Sequence, residues 1–190
     1  MTQNVRITDR SLEQQREEFS RRRFLAMPLA GSIAWVVVGV AGAQLPPLYA
    51  VWALFIATGC IAYLGMFLSR FTGENFLDKS RPKNTFDSLF MLTLLMAMLV
   101  YAIAIPFFLR DYTSLPLSVG ILTGLMWIPL SWILRHWIGL AHALSRTVLV
   151  LAAWYLFPHQ RFVAIPAVIV AIYIFTMLVL ETRWRALQRA

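Results

Sequence analysis

The stretch SRRRFLAMPLAGSIAWVVVGVAGAQ, residues 20–44, reads two ways. Ser-Arg-Arg-x-Phe-Leu, an apolar run and then Ala41-Gly42-Ala43 have the layout of a twin-arginine export signal, whose cleavage would start a mature chain near Gln44. The same residues also describe a first membrane span, with Arg21, Arg22 and Arg23 holding its start on the cytoplasmic side. The chain beyond Gln44 decides between them. A span needs roughly 20 residues to cross a hydrocarbon core about 30 Å thick. Apolar runs of that order occupy 25–44, 48–69, 88–109, 116–135, 139–157 and 162–180. A chain with five more hydrophobic helices is no soluble passenger for export, so the cleaved-signal reading is set aside.

Composition points the same way. Of 190 residues, 59% are hydrophobic and 14% charged, where a soluble domain has roughly half and a quarter. The alternating ten-residue strands of a membrane β-barrel are absent. The expectation is an all-α membrane protein, with a polar cytoplasmic N-terminal helix within residues 1–24 and a six-helix transmembrane bundle over 25–190.

Counting basic residues orients it. With the amino terminus in the cytoplasm, the inside segments hold Arg6, Arg10, Arg16, Arg21, Arg22, Arg23, Arg70, Lys79, Arg81, Lys83, Arg135, Arg146, Arg183, Arg185 and Arg189. Only Arg110 and Arg161 fall outside, so the positive-inside rule predicts both termini in the cytoplasm. The net charge of +8 is then a topology signal, and the partner it implies is a lipid bilayer. No basic binding fold speaks for nucleic acid. The single cysteine, Cys60, excludes an intrachain disulfide or a cysteine metal cage, and a buried apolar thiol is expected.

Ser11 with Gln14 three positions later forms a capping box that opens the helix LEQQREEFSRRR, residues 12–23. Leu12 and Phe19 are too few for a membrane-surface helix, which predicts a solvated helix running on into the first span. The longest connection, residues 70–86, carries Glu74, Asp78, Lys79, Arg81 and Lys83. Loops of this length are often functional, and a charged surface loop is the plain alternative.

Span five carries the sharpest signal. Its uncharged stretch TVLVLAAWYLF, residues 147–157, covers only about 16 Å, so the helix must recruit residues back to about Gly139. That places His142 a turn inside the cytoplasmic boundary and Arg146 near mid-depth, four apart on one face. An arginine there costs at least ~2.5 kcal/mol and by default marks a functional site. The alternative is a short or tilted span from which Arg146 snorkels to the headgroups. Asp87, opening span three, is the expected partner of His142, with Glu74 and Glu181 on the same side.

In span four, Trp127, Ser131 and Arg135 follow i,i+4 spacing and Pro129 interrupts the helical ladder. Arg135 and His136 read as anchors in the headgroup layer. Gly120 and Gly124 form a GxxxG pair that could join two copies of the chain. His136 and His142 are six apart, which is no helical metal pair, and no nucleophile elbow or HExxH is present. No catalytic residue, metal or cofactor is therefore expected.

The segments EEFSRRRFLAMPLAGSIAW, NFLDKSRPKNTFDSLF and MWIPLSW together resemble a family of small bacterial polytopic membrane proteins of unknown function. The resemblance implies a bacterial inner-membrane location and lends no residue a role. The residues themselves predict a recess open to the cytoplasm, formed by spans three, four and five and the 70–86 loop. It would bind or transport a small anionic solute or lipid headgroup through Arg146, His142, Asp87, Ser131 and Glu74. A non-catalytic assembly protein is the second reading and an intramembrane enzyme the third.

Overall fold

The computed structural model describes residues 10–76, 78, 82 and 84–189, and within these the secondary structure is entirely helical. Arg6, Lys79, Arg81 and Lys83 of the basic inside segments lie outside the described residues. The first helix, α1 (Leu12–Ser20), opens with the expected capping box: the Ser11 hydroxyl accepts the Gln14 N–H at 3.2 Å and the Gln14 side chain accepts the Ser11 N–H at 2.9 Å.

Two expectations about this region are corrected. α1 does not run on into the first span, because Phe24 takes a left-handed φ of 58° and breaks the chain direction. Nor is it solvated all round. Phe19, 2% exposed, packs with Phe24, Phe86 and Phe90 at ring separations of 5.2, 6.1 and 6.4 Å. Gln15 and Arg16 are buried beside it. A face made of two polar residues and one phenylalanine has no hydrophobic stripe to read, yet it buries well once its polar atoms meet backbone groups.

The bundle continues as α2 (Ala26–Gln44), α3 (Pro47–Gly59), α4 (Ile61–Ser69), α5 (Thr85–Leu99), α6 (Tyr101–Arg110), α7 (Ser114–Gly124), α8 (Trp127–Leu134), α9 (Ile138–Leu156) and α10 (Arg161–Arg189). Five continuous stretches are long and apolar enough to cross a membrane: Ala26–Gln44, Thr85–Arg110, Ser114–Leu134, Ile138–Leu156 and Arg161–Arg189. The pair Pro47–Gly59 and Ile61–Ser69, bent by 46°, makes a sixth if taken as one span.

α10 packs most extensively on α2 and α9, α2 also meets α3 and α4, and α7 lies against α9. Glycine sets the α2–α10 approach and that of α8 to α9. A Cβ on Gly42 would meet the Phe162 carbonyl oxygen at 2.5 Å, and one on Gly139 would meet the Ser131 nitrogen at 2.8 Å. Outward faces stay apolar: Trp52, Ile56, Leu92, Leu99 and Leu109 are each more than half exposed. In water such continuous apolar surface would drive association, whereas lipid tails cover it at no cost.

Cys60 is exposed rather than buried, at the bend between α3 and α4. Pro129 sits in the first turn of α8, and the ladder breaks four residues before it, at Leu125 and Met126, where the proline ring would meet the preceding carbonyl.

Candidate functional site

The arginines of the opening stretch separate onto three partners. Arg21 pairs with Glu17 at 2.7 Å, Arg22 with Asp87, and Arg23 with both oxygens of Glu181 at 2.7 and 3.0 Å. Arg23 also donates to the Thr72 carbonyl at 3.0 Å and stands over the Trp184 ring. The Glu181 hydrogen bond raises its guanidinium pKa above the usual value. These contacts gather α1, α2, α5 and α10 at one end of the bundle.

Glu74 belongs to the same end. The residue preceding α2 is Leu25, which has no side chain able to cap a helix. Glu74 supplies the cap from the distant loop, accepting the Leu25 and Ala26 N–H groups at 2.8 and 2.7 Å and the Thr72 hydroxyl at 3.0 Å, all through Oε1. A carboxylate at a helix N-terminus also complements the helix dipole.

The carbonyls ending α8 are met by cations, the complement expected at a helix C-terminus. Arg16 donates to Trp132 and Ile133 at 2.6 and 3.2 Å, and Arg183 to Leu134 at 3.5 Å. His136, in the turn after α8, accepts the Ile138 N–H at 3.3 Å. Burial, and then the charge of Arg183, hold its imidazole below the usual histidine range.

Arg146 is 1% exposed, eight residues into α9. At ~1.5 Å per residue that is about 12 Å from the helix start. It therefore does not snorkel. Its Nε donates to the Gly120 carbonyl at 2.6 Å, Nη1 to the Tyr173 hydroxyl at 3.1 Å and Nη2 to the Thr123 hydroxyl at 3.0 Å. His142 Nε2 lies 3.5 Å from Nη1. The Trp35 and Tyr173 ring centroids stand 5.7 and 5.3 Å from the guanidinium carbon, within range for cation–π attraction. Every one of these partners is neutral or aromatic, and no described carboxylate pairs with the charge.

His142, also 1% exposed, stacks on Trp127 at 4.2 Å and shares a hydrogen bond of 2.8 Å between its Nδ1 and the Thr176 hydroxyl. Thr176 in turn donates to the Ile172 carbonyl at 2.8 Å, leaving its oxygen to accept from the histidine. That bond places the proton on Nδ1 and leaves Nε2 as an acceptor facing Arg146.

Of the residues nominated from sequence, the structure brings together Arg146 and His142 alone. Asp87 faces Arg22 and not His142, Glu74 caps α2, and the Ser131 hydroxyl donates to the His136 carbonyl at 2.6 Å. The recess is also differently built. Its walls are α2, α7, α8, α9 and α10 in place of span three and the 70–86 loop, and it is closed, with Arg146 and His142 each 1% exposed. Sequence reasoning missed Trp35, Thr123, Tyr173 and Thr176, ordinary residues within apolar runs.

Gly120 and Gly124 point inward. A Cβ on Gly120 would meet the Ile169 side chain at 3.1 Å, and one on Gly124 would meet Arg146 Cδ at 2.8 Å. The spacing that suggested contact with a second copy is what makes room for the arginine. The opposite end of the bundle is marked by Arg161, which donates to the Thr113 hydroxyl at 2.7 Å and lies 3.7 Å from Asp111.

Residues 12–183 match a family of unknown function, DUF7010, and the chain belongs to that family. No curated protein and no solved structure matches it.

Proposed function

From that membership and the geometry of Arg146, we propose that the chain is a multi-pass protein of the bacterial inner membrane that binds a small anionic solute or lipid headgroup at Arg146 and carries it across. In this reading the bent pair α3–α4 is one span, giving six, and both termini are cytoplasmic. The gathering of Arg16, Arg22, Arg23 and Arg183 at one end of the bundle and Arg161 at the other supports that orientation.

The observation that carries the binding role is the buried guanidinium without a counter-charge. Hydroxyls, a carbonyl and ring faces satisfy its geometry and leave a full positive charge in a low-dielectric interior, where an anion would bind strongly. The tightened turn between α7 and α8, where the Leu125 and Ile128 N–H groups bond three residues back instead of four, lies directly beside it, between Thr123 and Trp127.

A specific observation favours the assembly reading as second. Only 11% of the apolar window of Thr85–Arg110 is buried, so this span leaves most of its surface to lipid or to another protein. A homo-oligomer would use that face, because Gly120 and Gly124 are consumed inside the protomer.

The test is the thermal stability of the detergent-purified protein against chloride, nitrate, phosphate, short dicarboxylates and glycerol phosphate, in wild type and Arg146→Met. A ligand well above its Kd raises the Tm of the state that binds it. A rise in wild type that disappears in a folded Arg146→Met protein supports the site. A flat response to the whole panel in well-folded wild type sinks it and leaves the assembly reading.

A further inference from the structure

We propose that the groove between α1, the end of α8 and the start of α9 is a binding site for an acidic glycerophospholipid of the adjoining leaflet. The inference rests on the membrane reading and not on the anion site at Arg146.

The groove has about 390 Å³ of open volume and a graded lining. Its mouth is cationic. Arg135 takes a left-handed φ of 47° at the end of α8, and its side chain, 66% exposed, pairs with Glu13 at 2.6 Å. Arg16 lies beneath, with its guanidinium carbon 4.2 Å from the Trp132 ring centroid. Two arginines against one carboxylate leave the mouth net positive.

The other end of the groove is apolar. Ile128 and Leu140 line it, 43% and 46% exposed, and Leu144 one turn further along α9 is 56% exposed. Ile128 lies seven residues before Arg135, about 10 Å deeper along the helix. Trp132 and Trp137 flank the passage from mouth to tail, 62% and 56% exposed, at the level where indoles favour the membrane interface.

A positive mouth joined to an apolar trough that opens sideways complements an anionic headgroup with an acyl chain. A free phosphate would use the mouth alone, and a zwitterionic lipid would bring a cationic choline to the same arginines beside its phosphate, which weakens the attraction. Glu13 is the internal competitor, since its carboxylate occupies the position beside Arg135 that a phosphodiester would take.

The experiment uses the full chain in neutral detergent, with lipid adducts quantified by native mass spectrometry and checked by Tm. Phosphatidylglycerol, phosphatidylcholine of the same chains and soluble glycerol phosphate are the probes. Wild type should prefer phosphatidylglycerol over phosphatidylcholine by roughly fivefold or more, the effect of one basic contact at an anionic surface. Arg135→Gln should erase the preference and Glu13→Gln should enlarge it, a gain that a merely structural Glu13 would not produce. The preference should survive Arg146→Met, which separates this site from the proposed anion site.

Equal binding of the two lipids to wild type overturns the proposal. So does a preference untouched by both Arg135→Gln and Glu13→Gln. Glycerol phosphate binding as tightly as phosphatidylglycerol would make the groove a site for soluble anions, and would overturn the lipid assignment as well. Should Arg135→Gln fail to fold, Glu13→Gln alone decides.

Discussion

Tyr173 meets Arg146 twice, with its hydroxyl accepting from Nη1 at 3.1 Å and its ring centroid 5.3 Å from the guanidinium carbon. One tyrosine on α10 thus provides both a lone pair and a π face to a buried cation on α9. Gly31 on α2 makes the space, for a Cβ there would come within 2.6 Å of the Tyr173 ring. Tyr173→Phe keeps the face and loses the acceptor. The expected loss is about 1.5–3 kcal/mol, the value of a hydrogen bond to a charged group. It is read by chemical or thermal denaturation in detergent, and an unchanged midpoint would show that the ring alone holds the arginine.

Arg146 itself should respond differently to two truncations. Arg146→Ala leaves a cavity beside Gly124 and should cost about 2–4 kcal/mol, in the range of other large-to-small core changes. Arg146→Met fills that space with an apolar chain and removes an unpaired charge, but it strips the Gly120 carbonyl and the Tyr173 hydroxyl of their donor, so it should remain destabilising while costing less than Ala. Denaturation midpoints of the two variants check the contrast. If Met costs as much as Ala, the charge rather than the volume holds α7, α9 and α10 together.

The remote cap on α2 predicts a local effect. Glu74→Ala removes the acceptor of the Leu25 and Ala26 N–H groups and should destabilise by about 1–2 kcal/mol, as lost N-caps do. Glu74→Gln retains an oxygen there and should cost less. Amide exchange at residues 25–27 is the sensitive measurement, with faster exchange expected in the alanine variant than in the glutamine one.

Glycine positions should separate sharply. Gly139→Ala would put a Cβ 2.8 Å from both the Ser131 nitrogen and its Cβ, where backbone cannot give way, and a loss of about 1–3 kcal/mol is expected. Gly59→Ala meets nothing within 4 Å and lies in helix α3, so it should be neutral or stabilising. Paired melting curves test the difference.

The proposed topology is testable with single cysteines. On a Cys60→Ala background, a cysteine at Glu17 should react with a membrane-impermeant maleimide only after cells are opened, and one at His159 should react in intact cells. Cys60 itself, exposed on the outer surface of the α3–α4 pair, should react with a lipid-soluble maleimide and resist the impermeant one. Labelling of residues 17 and 159 from the same side would overturn the six-span arrangement.

Long apolar runs made the helices readable. Burial of backbone polar groups away from water demands helices or closed barrels, and about 20 apolar residues without alternation leave only the helix. Arg146 and His142 stood out for the same reason, since a charge inside such a run has no cheap explanation. Their surroundings were not legible. Tyr173 and Trp35 are members of apolar runs on other helices, and only packing turns them toward the arginine. Asp87 and Glu74 looked like site residues because they are acidic and near the right end, but carboxylates reach whichever donor is closest in space, here Arg22 and the start of α2.

The sequence by itself determined the helical class, the span-capable segments, the capping box of α1 and the presence of a costly cation in the fifth apolar run, because each depends on neighbours along the chain. The tertiary structure alone decided that α1 docks rather than continues, that Glu74 caps a helix 48 residues away, that Gly124 makes room for Arg146, and that this arginine is enclosed by neutral partners. Those outcomes depend on which helix faces meet, a choice made by the sum of many weak packing contacts that no local pattern encodes.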